Sequence, residues 1–226
     1  AMLFDGKNGY TGSATLFHNK VKDRISSGGN CASVWISSCT ANPTADYAVN
    51  IDQGKTWGLE LATRVPLTQA LSLNLNYTWT DSEAMVDGVK SGKLSDTAKH
   101  MANAQLNWAV NERATVWLRG EYRGKSRRFD GDPGALTGNN RAEYNALGDL
   151  KGFALFHLGG SYKIARNATL NANIYNLFDK DFSKSRSYTN TAGETVVGSP
   201  YFRTSSSVKG TAAAGRTFWV SANFQF

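Results

Sequence analysis

The last ten residues of the chain alternate between apolar and polar side chains along their whole length. One face of the extended backbone carries the even-numbered residues from Phe218 to Phe226, and the other carries Thr217, Trp219, Ser221, Asn223 and Gln225. Because successive side chains of a strand point to opposite faces of a sheet, this period of two predicts a strand with one apolar and one polar face. Its length, about ten residues, is also what a tilted strand needs to cross a bilayer.

The same alternation recurs upstream. It is regular in the segments 71–80, 102–110, 114–123, 153–165 and 168–178, and less regular in two earlier segments at roughly 9–27 and 46–65. Together these patterns predict about eight strands and no helix. No run of eighteen apolar residues occurs in the chain, which excludes a transmembrane helix.

The connections between the predicted strands alternate between long and short. The long ones are roughly 28–45, 81–97, 128–150 and 183–214, and the short ones are 66–69, 111–113 and 166–167. A Greek-key sandwich would not produce this pattern, whereas an antiparallel up-and-down transmembrane β-barrel does. Large aromatic residues near strand ends, such as Trp79, Trp108 and Tyr122, fit an interfacial girdle. We therefore predict an all-β barrel with periplasmic turns and extracellular loops.

Composition by itself would favour a water-soluble protein, since 41% of residues are apolar and the mean hydropathy is −0.40. A barrel strand, however, shows lipid only every second residue, so its mean hydropathy stays low. The formal charge is +7, but the basic residues are dispersed and only Arg127 and Arg128 are adjacent. We therefore predict no nucleic-acid partner; the charge fits solubility, contact with lipopolysaccharide, or attraction of an anionic ligand.

The two cysteines, Cys31 and Cys39, have no metal-ligand spacing, and we predict a short disulfide loop rather than two free thiols. Trp35 lies inside that loop, as a ligand contact or a packing anchor. The three histidines are scattered and no hydrolase or metalloprotease motif occurs, so we predict no metal site, no intrinsic cofactor and no enzyme activity. Glu60 and Arg64 are expected to form an ion pair on the polar face.

Specific stretches resemble a known family. The ending GRTFWVSANFQF looks like the sorting strand of outer-membrane barrels; NANIYNLFDKDF (171–182) and GKTWGLELATRVPLTQALSLNLNYTWTDSE (54–83) resemble segments of TonB-dependent receptors. LSDTAKHMANAQLNW and WLRGEYRGKSRRF are similar to the catecholate branch, which includes ferric enterobactin and colicin I receptors.

The resemblance implies a barrel of about twenty-two strands around an N-terminal plug. It also implies uptake of a ferric siderophore with energy from TonB, and bacteriocins as further candidate partners. The chain has about eight predicted strands, no plug, no TonB-contacting segment and no visible signal peptide. We therefore interpret residues 1–226 as the C-terminal part of such a barrel. A self-contained eight-stranded barrel and a passive porin remain open alternatives.

A ferric catecholate complex is a compact trianion with aromatic rings, so cationic groups and aromatic faces should recognise it. The residues Arg119, Glu121, Arg123, Lys125 and Arg127 share the inward phase of one strand and its extension. We predict ligand contacts from Lys125, Arg127 and Arg128, with a lipopolysaccharide-binding rim as the alternative. Lys184 and Arg186, with Tyr188, Tyr201 and Arg203, form a second candidate set.

Overall fold

The computed structural model describes residues 1–22, 24–30, 46–51, 54–86, 89–203 and 215–225. Cys31, Cys39 and Trp35 lie outside these ranges, so the predicted disulfide and the role of Trp35 stay predictions.

Antiparallel strands make up most of the structure, and one helix is added. The elements are β1 (Met2–Asp5), β2 (Thr11–Val21), β3 (Arg24–Asn30), β4 (Asp46–Ile51), β5 (Gly54–Pro66), β6 (Leu71–Val86), β7 (Val89–Gly92), β8 (His100–Ala109), β9 (Ala114–Arg123), α1 (Gly138–Leu147), β10 (Phe153–Ala165), β11 (Ala168–Tyr175), β12 (Arg186–Thr189), β13 (Thr195–Gly198) and β14 (Thr217–Phe224). Short 3₁₀ turns occupy Lys7–Gly9 and Pro133–Ala135.

The main sheet has ten strands in the order β1-β2-β5-β6-β8-β9-β10-β11-β14, with β7 attached to β6. Eight of them have eight or more residues and follow one another up and down, which confirms the predicted architecture. Two ribbons, β3-β4 and β12-β13, stand apart from this sheet. Within the described ranges β1 and β14 do not pair with each other, so the sheet is open. An open sheet is contrary to the self-contained eight-stranded barrel.

The register aligns the apolar positions of neighbouring strands into rows. Residues that lie opposite each other share one face of a sheet. One row crosses seven strands through Val65, Leu73, Leu106, Leu118, Leu158, Ile174 and Phe218. The period of two therefore predicted the apolar face correctly.

This apolar face is uncovered. Leu118 is 41% exposed and Phe218 is 68% exposed, although both lie in long strands. Among the described residues, the buried hydrophobic side chains are Ala84, Ala98, Leu147, Leu150, Ala168 and Phe182. Large contiguous apolar surfaces are rare on proteins that face only water. In the described ranges no hydrophobic core lies beneath this face, so its apolar side chains call for an apolar phase such as lipid.

Short, hydrogen-bonded turns close one end of the sheet. Thr68 Oγ1 accepts a hydrogen bond from the backbone N–H of Leu71 at 3.0 Å in the β5-β6 turn. Asn111 Oδ1 accepts from the N–H groups of Arg113 and Ala114, both at 2.9 Å, in the β8-β9 turn. The predicted short connections are therefore confirmed at this end.

The opposite end carries the long connections and most of the buried residues. α1 contradicts the prediction that the chain has no helix, and it lies inside the predicted loop 128–150. Its apolar residues are two alanines, Tyr144 and Leu147, and Leu147 is the buried one, so the helix has only a weak apolar stripe. Gly148, at φ 64°, ends the helix in a conformation that glycine adopts easily. No helix in the described ranges is long and apolar enough to cross a membrane.

β11 ends at a turn that is tied to the last strand. Asn176 and Asp179 both have φ near 52°, in the left-handed region. Asn176 Oδ1 accepts from Lys180 N at 2.7 Å, and its Nδ2 donates to Lys180 O at 3.0 Å. Asp179 Oδ1 accepts from Arg216 N at 2.8 Å, just before β14 begins. This turn replaces the last residues of the predicted strand 168–178 and aligns the start of β14 with the end of β11.

Candidate binding site on the long-loop side

The inward row of β9 is engaged in contacts within the protein. Arg119 forms an ion pair with Glu121, and Arg123 Nη2 donates to the carbonyl oxygen of Asp96 at 3.1 Å. The polar face below the loops is thus internally paired at these positions. The next cations along this row are Lys125 and Arg127, which lie beyond the end of β9.

The three cations predicted to bind a ligand differ in environment. Lys125 is exposed, and in the part of the chain that the structure describes it forms no ion pair. Arg127 is partly exposed and its Nη1 lies 3.0 Å from Asp149 Oδ2. Arg128 is 0% exposed. Lys125 and Arg127 can therefore meet a ligand, whereas the guanidinium of Arg128 offers no solvent-facing surface.

The donors of Arg128 are all directed at protein acceptors. Its Nε donates to Gly148 O at 2.8 Å, its Nη1 to Glu143 Oε1 at 3.0 Å, and its Nη2 to Ser199 O at 2.8 Å. Ser199 belongs to the connection between β11 and β14. The geometry gives Arg128 the role of joining two loops.

Glu143 brings the two predicted sets of residues together. It pairs with Arg128, and its Oε2 accepts a hydrogen bond from the Tyr188 hydroxyl at 3.2 Å. Burial raises the pKa of Tyr188, and the neighbouring negative charge of Glu143 and its hydrogen bond raise that pKa further. Tyr188 therefore keeps its proton and remains a donor at neutral pH.

Lys184 and Arg186 remain exposed on the second loop. Arg186 starts β12, opposite Gly198 of β13. No ion pair to either cation is formed by residues within the described ranges. Together with Lys125, they are cations whose charge is not compensated by a described carboxylate within bonding distance.

A cluster of aromatic side chains lies at the N-terminal end of β10. The sequence predicted only part of it. Phe182 is buried, and its ring centroid lies 5.0 Å from that of Phe153, 5.3 Å from Tyr201 and 5.5 Å from Phe202. Lys180 Nζ lies 5.1 Å from the centroid of the Tyr201 ring. Only Tyr201 was predicted as part of a site; the aromatic residues concentrated at 178–182 and 201–202 were the available signal.

Arg203 extends this cluster towards the loop between β6 and β8. Its guanidinium carbon lies 5.5 Å from the centroid of the Phe129 ring, and its Nη1 lies 3.8 Å from Asp96 Oδ2. Arg203 therefore connects the second predicted set to a third loop. A cation and an aromatic ring that attract each other in this way are also suitable contacts for an anionic aromatic ligand: the cation for its charge and the ring for its aromatic groups.

The polar face also holds a histidine that is almost fully buried. His157 Nδ1 accepts from the backbone N–H of Asn176 at 3.2 Å, and its Nε2 lies 3.6 Å from Glu121 Oε1. Nearer the short turns, a hollow of about 510 Å³ is lined by two indoles, Trp117 and Trp219, and by small polar residues.

The predicted Glu60–Arg64 ion pair is wrong: Glu60 lies opposite Thr15 and Thr78. No group of three or more potential metal ligands occurs among the residues that the structure describes.

Comparison with known proteins shows which protein family this sheet matches. Residues 3–177 match the family described as TonB dependent receptor-like, beta-barrel. An iron-regulated outer membrane virulence protein of Vibrio cholerae is 31% identical over 186 residues, which cover 80% of this chain and 26% of that protein. The ferric enterobactin receptor of Pseudomonas aeruginosa is 27% identical over 229 residues, which cover 97% of this chain and 28% of that protein.

Solved structures share the fold at lower identity. The copper transporter OprC matches with a TM-score of 0.65 and 20% identity, over 99% of this chain and 30% of that one. The fold is therefore common to proteins whose names state different cargoes. The chain spans about a quarter of the length of the curated relatives it matches, 26% and 28%.

Proposed function

The chain belongs to the TonB-dependent receptor β-barrel family of the bacterial outer membrane, and we propose that it is part of a receptor that takes up a ferric siderophore. This family consists of transport receptors and not of enzymes, in agreement with the prediction. In this proposal, residues 1–226 form the C-terminal part of a larger barrel. A plug and a TonB-contacting segment belong to the rest of the protein, and the apolar face contacts outer-membrane lipid.

The observation that carries the proposal is the combination of exposed cations and aromatic rings on the long-loop side. Lys125, Lys184 and Arg186 are exposed and form no ion pair in the described ranges, although Lys184 contributes to lowering the pKa of Asp181, and Lys180 lies over the ring of Tyr201. Exposed cations attract an anion, and the attraction is strongest at low ionic strength. The orientation predicted from loop length puts this region outside the cell, where a ligand arrives.

We propose a catecholate as the siderophore class. A ferric catecholate presents three negative charges and several aromatic rings, which match the cations and the Tyr201 ring in charge and shape. The name of the Pseudomonas aeruginosa relative, a ferric enterobactin receptor, supports this choice. The fold alone does not select the cargo, since a copper transporter shares it. A rim that binds lipopolysaccharide is the competing role for the same cations.

Binding by variants of the complete gene product tests the ligand class. Replacing Lys125, Lys184 and Arg186 together with Ala should weaken ferric-catecholate binding by roughly tenfold at low salt. A neutral ferric hydroxamate should be unaffected in affinity. The charge-matched control replaces Arg113, Lys163 and Arg166 with Ala, three exposed cations at the short-turn end. Unchanged catecholate affinity in the triple variant would assign these cations to the rim.

Uptake under iron limitation tests the transport class. In cells that lack the native receptor, the complete gene product should restore ferric-siderophore uptake only when TonB is present. Uptake that persists without TonB would indicate a passive porin instead.

A further inference from the structure

The connection that precedes β10 and the connection that follows β11 contact each other at several independent points. We call residues 124–152 loop A and residues 176–203 loop B. Thr191 donates from its N–H and its Oγ1 to Asn139 Oδ1, at 2.9 and 2.6 Å. Lys151 N donates to Pro200 O at 2.9 Å. Each of these hydrogen bonds joins loop A to loop B.

Close packing reinforces these hydrogen bonds. A Cβ atom at Gly198 would lie 2.5 Å from Leu147 Cδ1, so the end of the Leu147 side chain packs directly against the backbone of β13. Leu147 is 5% exposed. The apolar end of α1 is thus covered by loop B.

Arg128, Glu143 and Tyr188 lie at the centre of this interface, and we call them the clasp. Arg128 is 0% exposed and donates to loop A at Gly148 and Glu143 and to loop B at Ser199. Tyr188 of loop B donates to the same Glu143. Separating the loops would break the hydrogen bond from Arg128 to Ser199 and the one from Tyr188 to Glu143, and would expose the apolar end of α1 to water, which is unfavourable.

We infer that the clasp makes loops A and B one preassembled unit that opens as a whole or not at all. All of its contacts lie within the protein, so the unit needs no ligand to form. Arg128 is then a positioning residue: it acts through the loops that carry Lys125, Lys184 and Arg186. The benefit for binding, which rests on the proposed function, is that the loops lose little conformational entropy when the ligand arrives.

Hydrogen exchange of the ligand-free complete gene product tests the clasp. Arg128→Lys keeps the charge but loses the planar, multi-donor guanidinium. We expect the amides of both 138–151 and 186–200 to exchange about tenfold faster, because the loops open together. The matched control is Arg141→Lys, because in the described ranges the Arg141 side chain donates to Leu136 O and Gly134 O, both within loop A. Since these bonds do not join the two loops, this control should leave both 138–151 and 186–200 unchanged.

Two outcomes would overturn the inference: unchanged exchange of 186–200 in Arg128→Lys, or acceleration of one loop without the other. If Arg128→Lys does not reach the membrane folded, as judged by heat-modifiable mobility in gels, Tyr188→Phe decides. It removes one hydrogen bond and keeps the ring, and it should accelerate exchange in both loops to a smaller extent. No acceleration in either loop would contradict the clasp.

Ligand affinity tests the benefit for binding separately. Arg128→Lys should weaken ferric-catecholate binding by about tenfold, and Arg141→Lys should not. Loosened loops with unchanged affinity would refute the positioning role. Failure of the wild type to bind any ferric siderophore would refute the proposed function, while the exchange experiment would still decide the clasp.

Discussion

The sheet and the unit formed by loops A and B hold together in opposite ways. The long strands place a row of apolar residues on an uncovered face, with Leu118 41% exposed. The loops bury Leu147, Leu150 and Phe182 and a complete arginine side chain among themselves. Hence the sheet depends on what surrounds it, whereas the loops carry a small core of their own. Substitutions should therefore have different consequences in the two regions.

The largest effect is expected from a charge on the apolar face. Leu118→Arg places a cation in the central apolar row, where insertion into the middle of a bilayer costs about 4 kcal/mol. The free energy of unfolding, measured by urea titration of the complete gene product in phospholipid vesicles, should fall by about that amount. Asn103→Arg, on the polar face opposite Glu121, is the matched control and should cost about 1 kcal/mol or less. An equal loss of unfolding free energy in both variants would mean that the two faces of the sheet contact the same kind of environment.

The next effect is expected inside the loops. Phe182→Ala removes the buried centre of the aromatic cluster and should lower the free energy of opening of the unit formed by loops A and B by about 3 kcal/mol. Hydrogen exchange of residues 138–151 and 199–203 measures this change, and exchange in β8 and β9 should stay the same. Phe178→Ala removes a ring that is 71% exposed and is the control. If the sheet exchanges faster as well, the loops and the sheet do not have separate stability.

A smaller effect is expected where the two regions meet. Asp179→Ala removes the acceptor for Arg216 N and puts alanine in the left-handed region, which should cost about 1.5 kcal/mol in all. Asp179→Asn keeps an acceptor oxygen and tolerates this backbone conformation, so it should be close to neutral. Exchange of the first amides of β14 distinguishes the two variants. Similar results for both would show that the hydrogen bond to Arg216 is not what aligns β14.

The smallest effect concerns the clasp at alkaline pH. Because the pKa of Tyr188 is raised in the folded protein, its contribution to stability is present below the ordinary tyrosine pKa and is lost as pH rises through the folded value. The ultraviolet difference titration between wild type and Tyr188→Phe should reveal one tyrosine that ionises late. Glu143→Gln should move its pKa back towards the ordinary value, although burial keeps part of the shift. An ordinary titration of Tyr188 in the wild type would indicate that the clasp is open.

The sheet could be predicted from the sequence because its signal is local. A period of two within each strand assigns residues such as Leu118 and Phe218 to one face, and the register follows once short turns fix the neighbours. The loops could not be predicted in this way. α1 has a single large aliphatic residue, Leu147, which is too little to show a clear helical period. The sequence predicts Arg128 as a ligand contact, whereas the structure buries it, because its partner Ser199 lies 71 positions away in sequence.

The same distinction applies to the candidate site. Charge and residue type select Lys125, Lys184 and Arg186 as predicted ligand contacts; the structure leaves them exposed, and their role stays a prediction. The aromatic residues at 178–182 and 201–202 are visible in the sequence, but their packing with Phe153 joins three segments that are distant in sequence. Local patterns identify which residues are chemically suitable, whereas only tertiary contacts decide which of them a ligand can reach.

The turn that ties Asp179 to Arg216 has an evolutionary consequence. It holds the two ends of the segment 180–215 side by side, independently of what lies between them. Insertions, deletions and substitutions in that stretch can therefore accumulate without shifting the final strand. The exposed surface of this loop can thus diversify while the final strand keeps its register with β11.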